Sequence, residues 1–179
     1  MRGCSSSNNG GVSCPDTTID LSVCDPPAGP FSIVIDNEFF PLFVGDELVL
    51  EGEEDGEVLE ISRNFFVQAP DGTACYYGED VDVYEDGIIV DHPGEWRAGE
   101  NGNLPGIQMP ANPKVGDIYA QDQAEVVALG ETITVPAETF SDTLITEECN
   151  PLDNGALDDK AYVSGIGLAI DANAELISF

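Results

Sequence analysis

Apolar and polar residues alternate at a spacing of two along much of this chain, and turn dipeptides interrupt the runs roughly every 8–12 residues. Alternation of that period puts one row of side chains on each face of a strand. Phe31–Ile35, Glu47–Glu51, Glu57–Ile61 and Asn64–Gln68 read as strands. So do Val81–Glu85, Ile88–Val90, Glu125–Leu129, Thr132–Val135, Thr139–Glu148, Ile166–Ile170 and Glu175–Phe179. Asp55-Gly56 and Asp86-Gly87 stand between alternating runs, and Asp-Gly marks hairpins because both turn positions tolerate positive φ. Pro70-Asp71-Gly72 adds a turn before Tyr76-Tyr77. No segment keeps a 3.6-residue period beyond two turns. The expected fold is all-β: a single antiparallel meander forming a curled sheet or an open, partial barrel. It occupies residues 26–179, with its last strand, Glu175–Phe179, lying between neighbours or along an edge.

One connection breaks this rhythm. Residues 99–116 are rich in Gly and Pro yet carry Leu104, Ile107 and Met109. The composition argues against a strand there, and the apolar residues argue against a free loop. An Ω-type loop packed on the sheet is expected. Trp96, Leu104, Ile107 and Met109 are its candidates for lidding a ligand.

Charge narrows the function. There are 35 acids against 5 Lys and Arg, a formal net charge of −30. Nucleic-acid binding draws its affinity from Lys and Arg on phosphates, so that partner is excluded. Docking on anionic lipid needs basic clusters, which leaves a covalent lipid anchor as the route to a membrane. Thirty charges on roughly 8,000 Å² lie about 16 Å apart, beyond the Debye length of about 8 Å at physiological salt. Stability is therefore expected to rise with salt or calcium.

The five cysteines divide by position. Cys4 follows a small residue and precedes a polar stretch, residues 5–13, like the cleavage end of a bacterial lipoprotein signal. On that reading Cys4 is lipidated and residues 1–25 are a flexible tether. Cys14, Cys24, Cys75 and Cys149 remain, an even number that suits an oxidising, extracytoplasmic compartment. Cys14 and Cys24 bracket a short segment containing Pro15, so a Cys14–Cys24 bridge is expected. Cys75 and Cys149 fall in strands that could pair.

Little catalytic chemistry is present. The chain has no G-x-S-x-G elbow, H-E-x-x-H, P-loop or C-x-x-C. Its lone His92, in Asp91-His92-Pro93, reads as an exposed turn residue. Calcium is the metal candidate, through Glu79, Asp80, Asp82, Glu85 and Asp86, with Asp153, Asp158 and Asp159 a weaker set. Neither has EF-hand spacing. Asp80 and Asp82 also read as the solvated face of a strand whose other face carries Val81 and Val83. Phe65 and Phe66 must point to opposite faces, one into the core and the other exposed or covered.

Several segments resemble an uncharacterised family of secreted bacterial proteins and lipoproteins. They are Trp96-Arg-Ala-Gly99, the run from Pro105 to Asp117 (PGIQMPANPKVGD), Val135-Pro-Ala-Glu-Thr-Phe140 and Tyr162-Val-Ser-Gly-Ile-Gly-Leu168. Cys24-Asp-Pro26 and Asp36-Asn-Glu-Phe-Phe-Pro41 fit as well. Glu138 stands where that family usually has Gly, and the chain is shorter than typical members between Leu50 and Glu57. The resemblance implies a β-rich envelope protein similar to half-barrel lipoprotein carriers, and supplies no catalytic residues. The expected function is non-enzymatic: an extracytoplasmic, lipoprotein-like carrier of an apolar or cationic ligand or of a protein partner. The alternatives are a cell-surface subunit self-associating through strand edges, and a hydrolase.

Overall fold

The computed structural model describes residues 14–43, 49–51, 60–119, 123–150 and 156–179. Cys4, the 5–13 segment, the Asp55-Gly56 turn and Asp153 lie outside these residues.

The described chain is all-β and antiparallel, with no sheet closed into a barrel. Its strands are β1 (Ile35–Asp36), β2 (Pro41–Leu42), β3 (Val49–Glu51), β4 (Glu60–Gln68), β5 (Ala74–Glu85), β6 (Ile88–Asp91) and β7 (Trp96–Arg97). They continue with β8 (Gly106–Met109), β9 (Ile118–Tyr119), β10 (Ala124–Thr134), β11 (Thr139–Asn150), β12 (Ala156–Val163), β13 (Gly167–Asp171) and β14 (Ala174–Ser178). The strands divide between two main sheets where one meander was expected. Alternation reports that a segment is a strand, not which sheet it joins. The larger sheet has the order β3-β14-β13-β12-β11-β10-β9. In the other, β4 pairs with one side of β5, and β6, β7 and β8 follow one another along its far side. The final strand β14 is inserted between β13 and β3, as the apolar C-terminal run anticipated.

Both sheets turn a face to one apolar cluster. Ala74, Cys75, Ile107 and Met109 come from the smaller sheet, and Tyr119, Ala124, Val126, Leu144 and Tyr162 from the larger. Phe40 joins them, with its ring 4.9 Å from Phe66 and 6.5 Å from Tyr162. The larger sheet also curls. Bulges in β10 bend the β10–β11 hairpin, and its tip returns to donate a hydrogen bond from Ala137 N to Leu176 O (3.0 Å). Val135, Phe140, Val163, Ala169 and Leu176 pack beneath that tip. These bulges also fuse the expected strands Glu125–Leu129 and Thr132–Val135 into β10.

Two expectations are corrected. A strand does form within residues 99–116: β8 pairs with β5 through Cys75↔Ile107 and Ala74↔Met109. Pro105 and Pro110 bracket it from outside, where no ladder bond is needed. Ile107 and Met109 alternate inward and are fully buried, so they are core and cannot lid a ligand, while Leu104 is 76% exposed.

The second correction concerns the disulfides, which run Cys14–Cys149 and Cys24–Cys75, with Cα separations of 5.5 and 5.6 Å. Neither the Cys14–Cys24 bridge nor a Cys75–Cys149 pair forms. The segment between Cys14 and Cys24 is spent crossing the molecule. Thr18 N and Ile19 N donate to Ile118 O on β9, and Ile118 N donates back to Thr18 Oγ1. Cys14 is thereby fixed to β11 in one sheet and Cys24 to β5 in the other. Residues 14–25 form a clasp across both sheets where a tether was expected.

Candidate functional site

The site begins at a bulge. The β4–β5 register slips between Phe65↔Gly78 and Phe66↔Tyr76, so Tyr77 is the extra residue. Phe66 turns inward and stacks on Tyr76 (5.0 Å), while Phe65 stays 40% exposed beneath the Arg97 guanidinium, 4.0 Å from its ring centroid. The two phenylalanines thus take opposite faces as the alternation required.

Opposite the bulge, Gly78 pairs with Arg97 and Glu79 with Trp96. Gly78 has φ +141°, and a Cβ there would penetrate the Trp96 carbonyl oxygen and lie 3.1 Å from Arg97 Cα. Its missing side chain lets β7 approach β5. Arg97 then locks the junction by donating Nη1 to Glu79 O (2.7 Å) and Trp96 O (2.8 Å), and Nη2 to Asp80 Oδ1 (2.6 Å).

Beyond β7 the chain makes a closed loop. Glu100 N donates to Arg97 O (3.2 Å), Asn103 N to Glu100 O (2.9 Å) and Gly99 N to Asn103 O (2.9 Å). These bonds run main chain to main chain, and the side chains of Glu100, Asn101 and Asn103 take no part in them. With Asp80, Glu95, Trp96 and Arg97 they line an open cleft of about 270 Å³. Three carboxylates against one guanidinium leave two net negative charges there.

Of the sequence candidates, the cleft unites Trp96 and Asp80, and excludes Leu104, Ile107 and Met109. Glu95, Glu100, Asn101 and Asn103 were missed, because nothing in the local pattern shows that the loop after β7 folds back over Asp80. Among the described residues, no three His, Cys, Asp or Glu side chains are grouped to hold a metal ion. Two of the five carboxylates considered for calcium meet the chain's own cations. Asp80 takes Arg97, and buried Asp82 takes Arg63 at 2.9 Å.

His92 sits at the edge of this region. Its Nδ1 lies 2.9 Å from Val81 O, 3.1 Å from Asp82 Oδ1 and 3.6 Å from Glu95 Oε1. The hydrogen bond to the Val81 carbonyl raises its pKa, slight burial opposes that, and Glu95, Asp82 and Asp91 add to the rise. A raised folded-state pKa gives stability that is full below the unfolded value near 6.5 and lost as pH rises through the folded value. His92→Gln should therefore lose more stability relative to wild type at pH 5.5 than at pH 8.5. Urea melts at the two pH values read this directly, and an equal difference at both would refute it.

A second polar group lies inside the larger sheet. Lys160 Nζ meets Glu148 Oε2 at 3.1 Å and Asp171 Oδ1 at 3.4 Å. Burial alone would lower the Lys160 pKa, but the two carboxylates outweigh it and raise it. Burial, with Glu148 nearby, also pushes the Tyr119 phenol up. Lys160 is thus held charged between two carboxylates, an ion-pair group within the larger sheet.

In comparisons with known proteins, no family model, curated protein or solved structure matched this chain.

Proposed function

We propose that this chain is an extracytoplasmic, non-enzymatic binding protein, lipid-anchored or secreted, that takes a small organic cation in the cleft beside Trp96. The observation that carries the reading is the cleft lining: Trp96, three carboxylates against the single Arg97 guanidinium, and the amides of Asn101 and Asn103. Ammonium groups are recognised by such a combination of ring and carboxylate. The overall charge of −30 raises the local concentration of cations further. Two disulfides fit an oxidising compartment, and the resemblance to envelope lipoproteins agrees with them.

Calorimetry with spermidine at 0.15 M NaCl tests this, with calcium and a neutral disaccharide as competitors. Spermidine should bind at sub-millimolar concentration, and Glu100→Gln should weaken it about tenfold, or about 1.4 kcal/mol. Asp158→Asn, an exposed neutralisation in the other sheet, should change little. Equal weakening by both variants would reduce the effect to bulk charge. Heat from calcium or the disaccharide alone would replace the ligand class.

A further inference from the structure

We propose that the free edge of β6 is a docking strand for an extended, basic segment of a partner protein. Ile88, Ile89 and Val90 are 68%, 44% and 49% exposed, three consecutive apolar residues on a strand at the sheet edge. Among the described residues, β6 pairs only with β5. Natural edges are ordinarily blunted by charge or covered, and an uncovered apolar edge is a template for strand addition.

The turn fixes which backbone groups are offered. Asp86 and Gly87 both have positive φ (51° and 75°), a two-residue hairpin turn between the paired residues Glu85 and Ile88. The pair flanking such a turn exchanges both backbone hydrogen bonds. The next residue, Ile89, therefore points its N–H and C=O away from β5, toward the open side. The register slips at Val90, between Ile89↔Tyr84 and Asp91↔Val83. An added strand is thus short and centred on Ile89, with Ile88 and Val90 as flanking apolar contacts.

Charge selects the partner. Glu85 and Asp86 lie at one end of the strip, Asp91 and Glu95 at the other. A complementary segment carries apolar residues between two basic ends. A second copy of this chain would bring the same four carboxylates and a charge of −30 to the contact.

The probe is the peptide Lys-Lys-Val-Ile-Val-Lys-Lys, labelled for fluorescence anisotropy at 0.15 M NaCl. It should bind at least tenfold more tightly than its twin with proline at the centre, which keeps the charge but cannot pair. Ile89→Lys should weaken binding at least tenfold while near-ultraviolet circular dichroism stays that of wild type. In wild type, the peptide should slow hydrogen exchange at the Ile89 amide at least tenfold. Glu100→Gln should leave peptide binding unchanged, so this inference and the cleft reading fail separately. Equal binding by the proline twin would overturn the proposal, leaving only attraction of a polycation. Protection of Ile89 that grows with protein concentration in the absence of peptide would overturn it in favour of a second copy. No binding at millimolar peptide would overturn it outright.

Discussion

Reduction of both disulfides is expected to lower the melting temperature by at least about 10 °C. Loop-closure entropy for a separation of 51 residues stabilises by about 4 kcal/mol, and for 135 residues by about 5 kcal/mol. The loops are nested, so the combined effect is less than the sum. One kilocalorie shifts the melting point of a chain this size by roughly 2–4 °C. The Cys24–Cys75 pair alone then accounts for roughly 8–16 °C. Both of its cysteines are fully buried, so the clean variant is Cys24→Ala with Cys75→Ala, which adds no buried hydroxyl. The effect is large because both bridges close long loops and tie residues 14–25 to a strand in each sheet. Differential scanning calorimetry with and without reductant measures it. A melting point unmoved by reduction would mean the sheets hold each other without covalent help.

Gly78→Ala should cost more than about 3 kcal/mol, because it combines backbone strain with a collision against another strand's main chain. Two penalties combine. A φ of +141° is one that residues with a Cβ rarely adopt, and the added methyl would collide with the Trp96 carbonyl. Backbone cannot swing aside as a side chain tip can, so β7 must move. Trp96 and Arg97 would be displaced, and with them the wall of the cleft. Gly87→Ala is the internal control. It has φ +75° with nothing within 4 Å, so it carries the conformational cost alone, about 1 kcal/mol. Thermal melts of the two variants should rank them clearly, with spermidine binding lost in Gly78→Ala and retained in Gly87→Ala. Equal destabilisation would show that close approach of β7 is not what fixes Gly78.

The strands were legible because their signal is local. The Asp86-Gly87 hairpin and the strands on either side of Pro70-Asp71-Gly72 follow from alternation and turn chemistry within about a dozen residues. Strand β8 was hidden in plain view. Ile107 and Met109 alternate, but the Gly and Pro content of residues 99–116 masks that period. The disulfide pairing was not legible, since a short separation favours closure only when the intervening chain doubles back, and residues 15–23 cross between sheets instead. The cleft was half legible. Trp96 and Asp80 stand out in the sequence only separately, as a loop aromatic and as a strand carboxylate. Their meeting depends on the Tyr77 bulge and on Gly78, whose role is set by a backbone approach from another strand.

The clasp of residues 14–25 fastens both sheets and holds β5, the strand that carries Asp80 into the cleft. Mass spectrometry of an unreduced proteolytic digest addresses it most directly. It should find the peptide holding Cys14 linked to that holding Cys149, and Cys24 linked to Cys75. Peptides joining Cys14 to Cys24, with Cys75 linked to Cys149 or left as a free thiol, would contradict it.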